Sequence, residues 1–312
     1  MRIAVDLLGG DHAPAVVVDG AQQACNADSD LDIALVGPRP AADESSAVLD
    51  DRISLIEADR GVDMAAPAAD GADPGTSIGA AMRALVGGRV DAVVSAGASG
   101  ATVAAAVVVL GRLAGVRRPA LAAILPGRAG PLVLLDVGAG LQVKAGQMVQ
   151  HAALGTAYAR MAAGIDSPCV GLLSIGSEAG KGDRLRRAAD TALRAVSWAD
   201  TTYVGPVEGH DVVTGTRANV IVTDGFTGNV LLKAVEAVLA AAAAYPPAKV
   251  PRGAALLGVA GTVVVCHGAA SGADIASGVA LAARLVRSDV VGRLAHRAAA
   301  ARGRTKLAEV AT

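Results

Sequence analysis

Aromatic side chains are almost missing from this chain: its 312 residues include one phenylalanine, one tryptophan and three tyrosines. That scarcity removes the stacking platforms on which single-stranded nucleic acids rest, and it leaves a core to be built from Ala, Val and Leu. Charge of one sign is lacking too. At a formal net charge of −1, no overall field draws nucleic acid to the surface. Cysteine is sparse: Cys25, Cys169 and Cys266 are far apart and form no CxxC pair, which fits a reducing compartment better than a disulfide framework. His12, His151, His210 and His296 show no metal-ligand spacing. Long apolar runs are absent as well. Stretches 101–110 and 238–244 are too short to span a bilayer, and the opening Met1-Arg2-Ile3-Ala4-Val5-Asp6 enters a strand without the apolar core of a signal peptide. A soluble, cytoplasmic protein is expected.

What is present is apolar and regular. An apolar content of 53% with 18% charged residues describes a folded chain with ample core. Strand-like runs fall at 2–6, 32–36, 53–57, 90–95, 120–125, 131–136, 169–174, 201–204, 219–223 and 262–266. Helical patterns fill 14–25, 77–87, 100–114, 146–163, 182–196, 228–244 and 272–287. This alternation predicts a three-layer α/β/α sandwich with a largely parallel sheet. Segments 38–47, 60–76 and the proline-rich 245–253 read as loops. No linker divides the chain, so a single α/β domain over 1–292 is expected, followed by a polar, basic tail at 293–312. Many strands end in glycine-bearing loops, at Gly9-Gly10-Asp11, Gly97-Ala98-Ser99-Gly100, Gly138-Ala139-Gly140 and Gly176-Ser177-Glu178. In open parallel sheets, ligands bind beyond the carboxyl ends of the strands.

The most informative loop lies between the strand at 219–223 and the helix that follows. It reads Asp224-Gly225-Phe226-Thr227-Gly228-Asn229 and contains the only phenylalanine. Two glycines permit close backbone approach, and a helix starting near Val230 would aim free N–H groups and a positive dipole end at that space. The arrangement suits an anion, most simply phosphate, although such turns also serve as plain connectors.

Several stretches, taken in order, resemble the bacterial phosphate acyltransferase family of phospholipid synthesis. Ile3 to Pro14, IAVDLLGGDHAP, resembles the family's AVDAMGGDNAP. Asp91 to Ala101 resembles DAVVSAGNTGA, Val133 to Ala139 resembles VLLDVGAN, and Val170 to Gly176 resembles VGLLNIG, with Lys181-Gly182 following. Val207-Glu208-Gly209, Asp224 to Lys233, Leu256 to Val259 and His267-Gly268 continue the series. The resemblance runs from about residue 2 to about 287. It implies a fold like the phosphotransacylases and isopropylmalate dehydrogenase. It also implies phosphorolysis of an acyl thioester on acyl carrier protein, giving acyl phosphate and free carrier. That chemistry requires no cofactor and no metal. A thioester's leaving thiol has a pKa of about 8.5, so holding the phosphate, aligning it and stabilising the oxyanion are the main tasks.

On this resemblance the catalytic residues are Lys181, Asn229 and His267. Lys181 resembles the phosphate-site lysine and sits where its charge opposes a helix start; otherwise it is a solvated lysine. Asn229 would donate to phosphate or oxyanion, or cap a helix, or both. His267 would donate to substrate or protonate the leaving thiolate, or be a structural histidine. Cys266 beside it could act as a nucleophile, but its place on a valine run suits a buried small hydrophobe. Phosphate or substrate contacts are expected from Gly10, Asp11, Ser95, Gly97, Ser99, Asp136, Gly138, Gly176, Asp224, Gly225, Thr227 and Gly228. The acidic carrier protein would dock on a basic face, with Arg184, Arg186, Arg187 and Arg194 on one helix and Arg112, Arg117 and Arg118 in a second cluster, although charge runs are also ordinary solvated faces.

The chain departs from the family where Ala98 and Ser99 replace Asn and Thr, where Gly140 replaces Asn, and at His12, Gln142 and Ala260. The basic stretch ahead of the SAG motif is replaced by the acidic segment Asp70 to Ser77. The long amphipathic hairpin that family members carry before the LLGV segment is reduced to 234–255 and broken by Pro246, Pro247 and Pro251. A homodimer with an altered interface and at most weak membrane association is therefore expected. Two other readings stay open: a phosphotransacylase for another acyl thioester, and a non-catalytic paralogue that binds carrier protein or phosphate.

Overall fold

A computed structural model describes residues 1–45, 51–198, 200–241 and 252–296. Residues 242–251 of the expected hairpin remnant and most of the C-terminal tail fall outside these residues. The chain forms two compact units, one of 1–114 with 251–299 and one of 115–250 with 300–312.

The first unit opens with β1 (Arg2–Asp6), α1 (Ala15–Ala27), β2 (Asp32–Gly37), α2 (Arg39–Ser45), β3 (Ile53–Glu57), α3 (Ser77–Val86), β4 (Ala92–Ser95) and α4 (Ser99–Ala105). The second unit carries β5 (Ala120–Gly127), β6 (Gly130–Leu135), α5 (Ala145–Ala162), β7 (Cys169–Leu173), α6 (Arg184–Arg194), β8 (Thr202–Val207), α7 (Gly209–Thr214), β9 (Val220–Val222) and α8 (Gly225–Ala241). The chain then returns to the first unit for β10 (Ala254–Leu257), β11 (Thr262–Val265) and α9 (Gly272–Arg287).

Strands of the first unit lie in the order β3-β2-β1-β4-β11-β10, parallel except for the β10–β11 pair. Those of the second lie in the order β5-β6-β9-β7-β8, parallel except for β5–β6. The largely parallel sandwich expected from the sequence is therefore present. Inner parallel strands such as Val220-Ile221-Val222 in β9 and the valines of β11 are buried apolar runs, as expected where helices cover both faces. The ten anticipated strands all form, and β10 joins them.

Small residues set the helix packing. α1 and α9 pack against each other because Gly20 lacks a side chain; a Cβ there would lie 2.5 Å from Ile275 Cβ. In the second unit α5 and α6 pack together over β6, β7, β8 and β9. Tyr158, on α5, is fully buried, whereas the lone Phe226 is 64% exposed.

Two segments read as loops contain helix: α2, and a short 3-10 turn at Ala68–Ala72. The stretch expected as one helix over 100–114 is shorter, passing into a π turn at Ala106–Leu110 and ending at Gly111, whose φ is 78°.

Candidate active site

The expected site residues gather into two clusters, one within each unit. In the first unit, the loops after β1, β4 and β11 meet. The Asp11 N–H donates to the Gly268 carbonyl at 2.7 Å. A Cβ at Gly10 would lie 3.0 Å from that same carbonyl oxygen and 3.3 Å from Ala96 Cβ. Gly10 has φ of 115°, a value that favours glycine. Behind these loops, buried Asp6 accepts hydrogen bonds from Ser77 Oγ at 2.5 Å and Ser95 Oγ at 2.7 Å. Burial pushes its carboxyl up, against the pull of those bonds. Ser95, expected to touch substrate, is buried, and its Oγ also accepts from the Gly97 N–H at 3.0 Å. Ser99 opens α4, whose cap residue Ala98 offers no side-chain acceptor. His267 is half-buried at the end of β11, and its carbonyl accepts from the Ala270 N–H.

Cys266 is buried beside it, its Sγ 3.9 Å from the Asp274 carbonyl oxygen. Burial, with the Asp274 charge, pushes its thiol up to about 12. A thiol held protonated is a poor nucleophile, so the small-hydrophobe reading is the one the geometry favours. A neutral thiol reagent at pH 7 is expected to leave Cys266 unmodified in the native protein and to label it in denaturant. Rapid native labelling at this residue would restore the nucleophile reading.

The second cluster is built around Asp136. This carboxylate is fully buried and accepts four backbone N–H bonds, from Leu121 (3.0 Å), Gly138 (3.0 Å), Ala139 (2.8 Å) and Gly140 (2.7 Å). Burial pushes it up despite those donors. Its neighbour His151, also fully buried, places Nε2 3.3 Å from the Arg118 carbonyl oxygen, and desolvation lowers its pKa toward the neutral ring. Asp136 thus shapes the 136–140 loop from beneath.

That loop receives the start of α8. The helix begins at Gly225, one turn earlier than Asn229, and its cap is Asp224. Asp224 Oδ1 accepts the Thr227 N–H at 2.9 Å and Oδ2 accepts Thr227 Oγ1 at 2.8 Å. The Gly225 N–H donates to the Gly140 carbonyl at 2.9 Å. The N–H groups expected to stand free for an anion are therefore used at these two positions. The two glycines serve a different approach from the one expected. Neither has a positive φ; a Cβ on Gly228 would lie 1.9 Å from the Asp136 carbonyl oxygen, and one on Gly225 2.8 Å from that of Gly140. They let helix backbone lie on loop backbone.

Asn229 opens the second turn of α8 and is not at a cap. Its Nδ2 donates to the Val137 carbonyl at 3.0 Å and lies 3.2 Å from where a Gly138 Cβ would be. One N–H of the amide is occupied; the other and Oδ1 are available to a ligand. Lys181 lies in the loop before α6 rather than at the helix start, which Asp183 caps through the Arg186 N–H at 2.7 Å. Lys181 is exposed, and its stem passes over Gly176, where a Cβ would meet Cγ at 3.2 Å.

Two arginines from the clusters expected to meet the carrier also lie at this site. Arg186 is 13% exposed and pairs with Asp224, so it is not part of a solvated face. Arg118 Nε lies 3.0 Å from the position of a Gly140 Cβ, which sets a cation on the 136–140 loop. Neither placement is visible in sequence spacing, because their partners are 38 and 22 residues away.

Comparison with known proteins fits these features. The family model described as "Fatty acid synthesis protein" matches residues 1–246. A phosphate acyltransferase of Thermobifida fusca is 39% identical over 94% of this chain and 88% of its own length. One from Desulforudis audaxviator is 37% identical over 95% of each. Among solved structures, a phosphotransacetylase from Streptococcus pyogenes superposes with a TM-score of 0.63 at 16% identity, covering 92% of this chain and 94% of that one, which bears out the phosphotransacylase-like fold. With the family model covering most of the chain, and relatives named phosphate acyltransferase matching nearly all of it, the chain belongs to the fatty acid synthesis protein family.

Proposed function

We propose that this protein transfers the acyl group of an acyl–acyl carrier protein thioester to inorganic phosphate, supplying acyl phosphate for phospholipid synthesis. The observation that carries this reading is the nearly full-length similarity, at 37% and 39% identity, to proteins named phosphate acyltransferase. In the reaction a phosphate oxygen attacks the thioester carbonyl carbon. A C–O bond forms, the C–S bond breaks, and the sulfur leaves with the electron pair and takes up a proton. Lys181 and Asn229 are the proposed donors to phosphate and to the developing oxyanion. His267 is the proposed source of the proton. The carrier protein, being acidic, is proposed to dock on Arg184 and Arg187, which are exposed on α6. The described exposed residues of α8 are Phe226, Val230, Ala234, Ala237 and Val238, which are apolar, and the single charge Lys233, and a second copy of the chain is the proposed occupant of that face. No described helix is long and apolar enough to cross a membrane; a cytoplasmic location is part of the proposal.

The test is acyl phosphate formation by purified protein from long-chain acyl carrier protein and from short-chain thioesters. Lys181→Ala and Asn229→Ala are expected to slow it by about 10²-fold or more, the usual effect of removing an oxyanion or phosphate donor. Wild-type rates in both variants would show that the site lies elsewhere. Activity confined to short-chain thioesters would favour a different phosphotransacylase, and carrier binding without phosphate-dependent release a non-catalytic module.

A further inference from the structure

One guanidinium connects the two segments that carry the proposed phosphate donors. Arg186 lies in the first turn of α6. Its Nη1 donates to Asp183, the cap of its own helix, at 2.8 Å. Its Nη2 donates to Asp224, the cap of α8, to Thr227 Oγ1 at 3.0 Å and to Thr223 Oγ1 at 3.4 Å. Asp183 follows Lys181 by two residues, and Asp224 precedes Asn229 by five.

The two segments differ in how else they are held. The start of α8 rests on the 136–140 loop through Gly225, Gly228 and Asn229. The loop from Ser174 to Asp183 is open: residues 177–181 are exposed, Ile175 is 82% exposed, and Gly180 and Gly182 have φ of 85° and 96°. It crosses Arg186 closely, since a Cβ on Gly182 would lie 2.7 Å from Arg186 Cβ.

We propose that Arg186 is a positioning residue for the phosphate site, clasping the cap of α6 to the cap of α8 so that Lys181 and Asn229 keep one mutual geometry. A planar guanidinium can serve two carboxylates from two directions, which a lysine ammonium does less well. Asp224 responds to the clasp. Its burial alone would raise its pKa, but the Thr227 bonds and the Arg186 charge outweigh that and hold it below the usual carboxylate range. Its kinetic consequences rest on the acyl phosphate reading and its structural ones on the Arg186 contacts alone.

The experiment compares wild type, Arg186→Ala and Arg186→Lys by steady-state kinetics and by amide hydrogen exchange. Removing the clasp leaves the Asp224–Thr227 cap in place, so Arg186→Ala is expected to fold. Its kcat/KM for phosphate should fall about 10²-fold, the effect of displacing a bound reactant by about 1 Å, with KM for phosphate rising more than KM for the acyl carrier. Arg186→Lys should recover part of the loss, and guanidinium ion at sub-denaturing concentration should partly restore Arg186→Ala. Amides at 175–182 should exchange faster while those at 136–140 keep their protection. A wild-type KM for phosphate with unchanged exchange at 175–182 would overturn the proposal. So would an equal loss toward both substrates with no rescue by lysine or guanidinium, which marks a merely structural residue. If wild type forms no acyl phosphate, the functional reading fails, and the exchange comparison still decides whether the clasp exists.

Discussion

Gly228→Ala is expected to lower stability by about 3 kcal/mol or more, at the severe end of overpacking. The added methyl would lie 1.9 Å from the Asp136 carbonyl oxygen and 2.9 Å from Thr223 Cγ2. The first of these is backbone, so no side-chain rotation relieves it. Relief requires α8 to lift from the 136–140 loop, which would lengthen the Gly225-to-Gly140 and Asn229-to-Val137 hydrogen bonds. Activity is expected to fall with stability, since Asn229 moves with the helix. Gly146→Ala is the informative comparison. Nothing lies within 4 Å of a Cβ there, and the residue is in the first turn of α5, so a gain of about 0.5 kcal/mol is expected from the stiffer unfolded chain. Urea unfolding followed by circular dichroism measures both. A Gly228→Ala midpoint close to wild type would show that α8 does not lie so near Asp136.

Asp136→Ala should be comparably damaging, for a polar rather than a steric reason. Four N–H groups lose their acceptor at once, and a buried donor left unpaired costs about 1–3 kcal/mol. Some of these groups will find water as the loop opens, so about 4 kcal/mol in total is a reasonable expectation. Asp136→Asn separates charge from hydrogen bonding. An amide oxygen in the Oδ1 position keeps the Leu121, Gly138 and Ala139 donors, while the NH₂ group faces the Gly140 N–H, donor against donor. About 2 kcal/mol is expected for that single conflict. The ordering wild type, then Asn, then Ala, measured by unfolding free energy, is the result to look for. Equal losses in both variants would mean that the negative charge, not the count of acceptors, holds the loop.

Asp136 and Gly228 have different duties in the folded protein from those their motifs suggest. Asp136 and Gly228 stand in motifs expected to touch phosphate. In the structure, Asp136 organises a loop from below and Gly228 makes room for that loop. Lys181 and Asn229, the proposed phosphate donors, differ from expectation in helix context: Lys181 lies in the loop before α6 and Asn229 inside α8. In sequence, Asn229 reads as a cap because Asn is a good one and Val230 begins an apolar run. Asp224 holds the cap, its carboxylate accepting from the N–H and hydroxyl of Thr227 three positions on. Nothing local distinguishes the two, since the choice depends on how close the 136–140 loop comes.

Periodicity and motif order were sufficient for other features. Runs such as Val220-Ile221-Val222 and Val263-Val264-Val265 are β-branched, short and bounded by turn residues, so their strands could be located without tertiary information. β10 escaped because Ala254-Ala255-Leu256-Leu257 has no β-branched residue and suits a helix equally well. α7 escaped because six residues are too few for a helical period to show.

By itself, then, the sequence determined the alternation of strands and helices, the largely parallel sheet and the family. Each of these follows from local patterning or from colinear motifs. The tertiary structure alone decided the order of the strands in each unit, the pairing of Arg186 with Asp224, and the duties of Asp136, Gly225 and Gly228. Those depend on which distant backbone comes within a few ångströms, and a side chain's partner across 38 or 92 residues leaves no periodic trace in the chain.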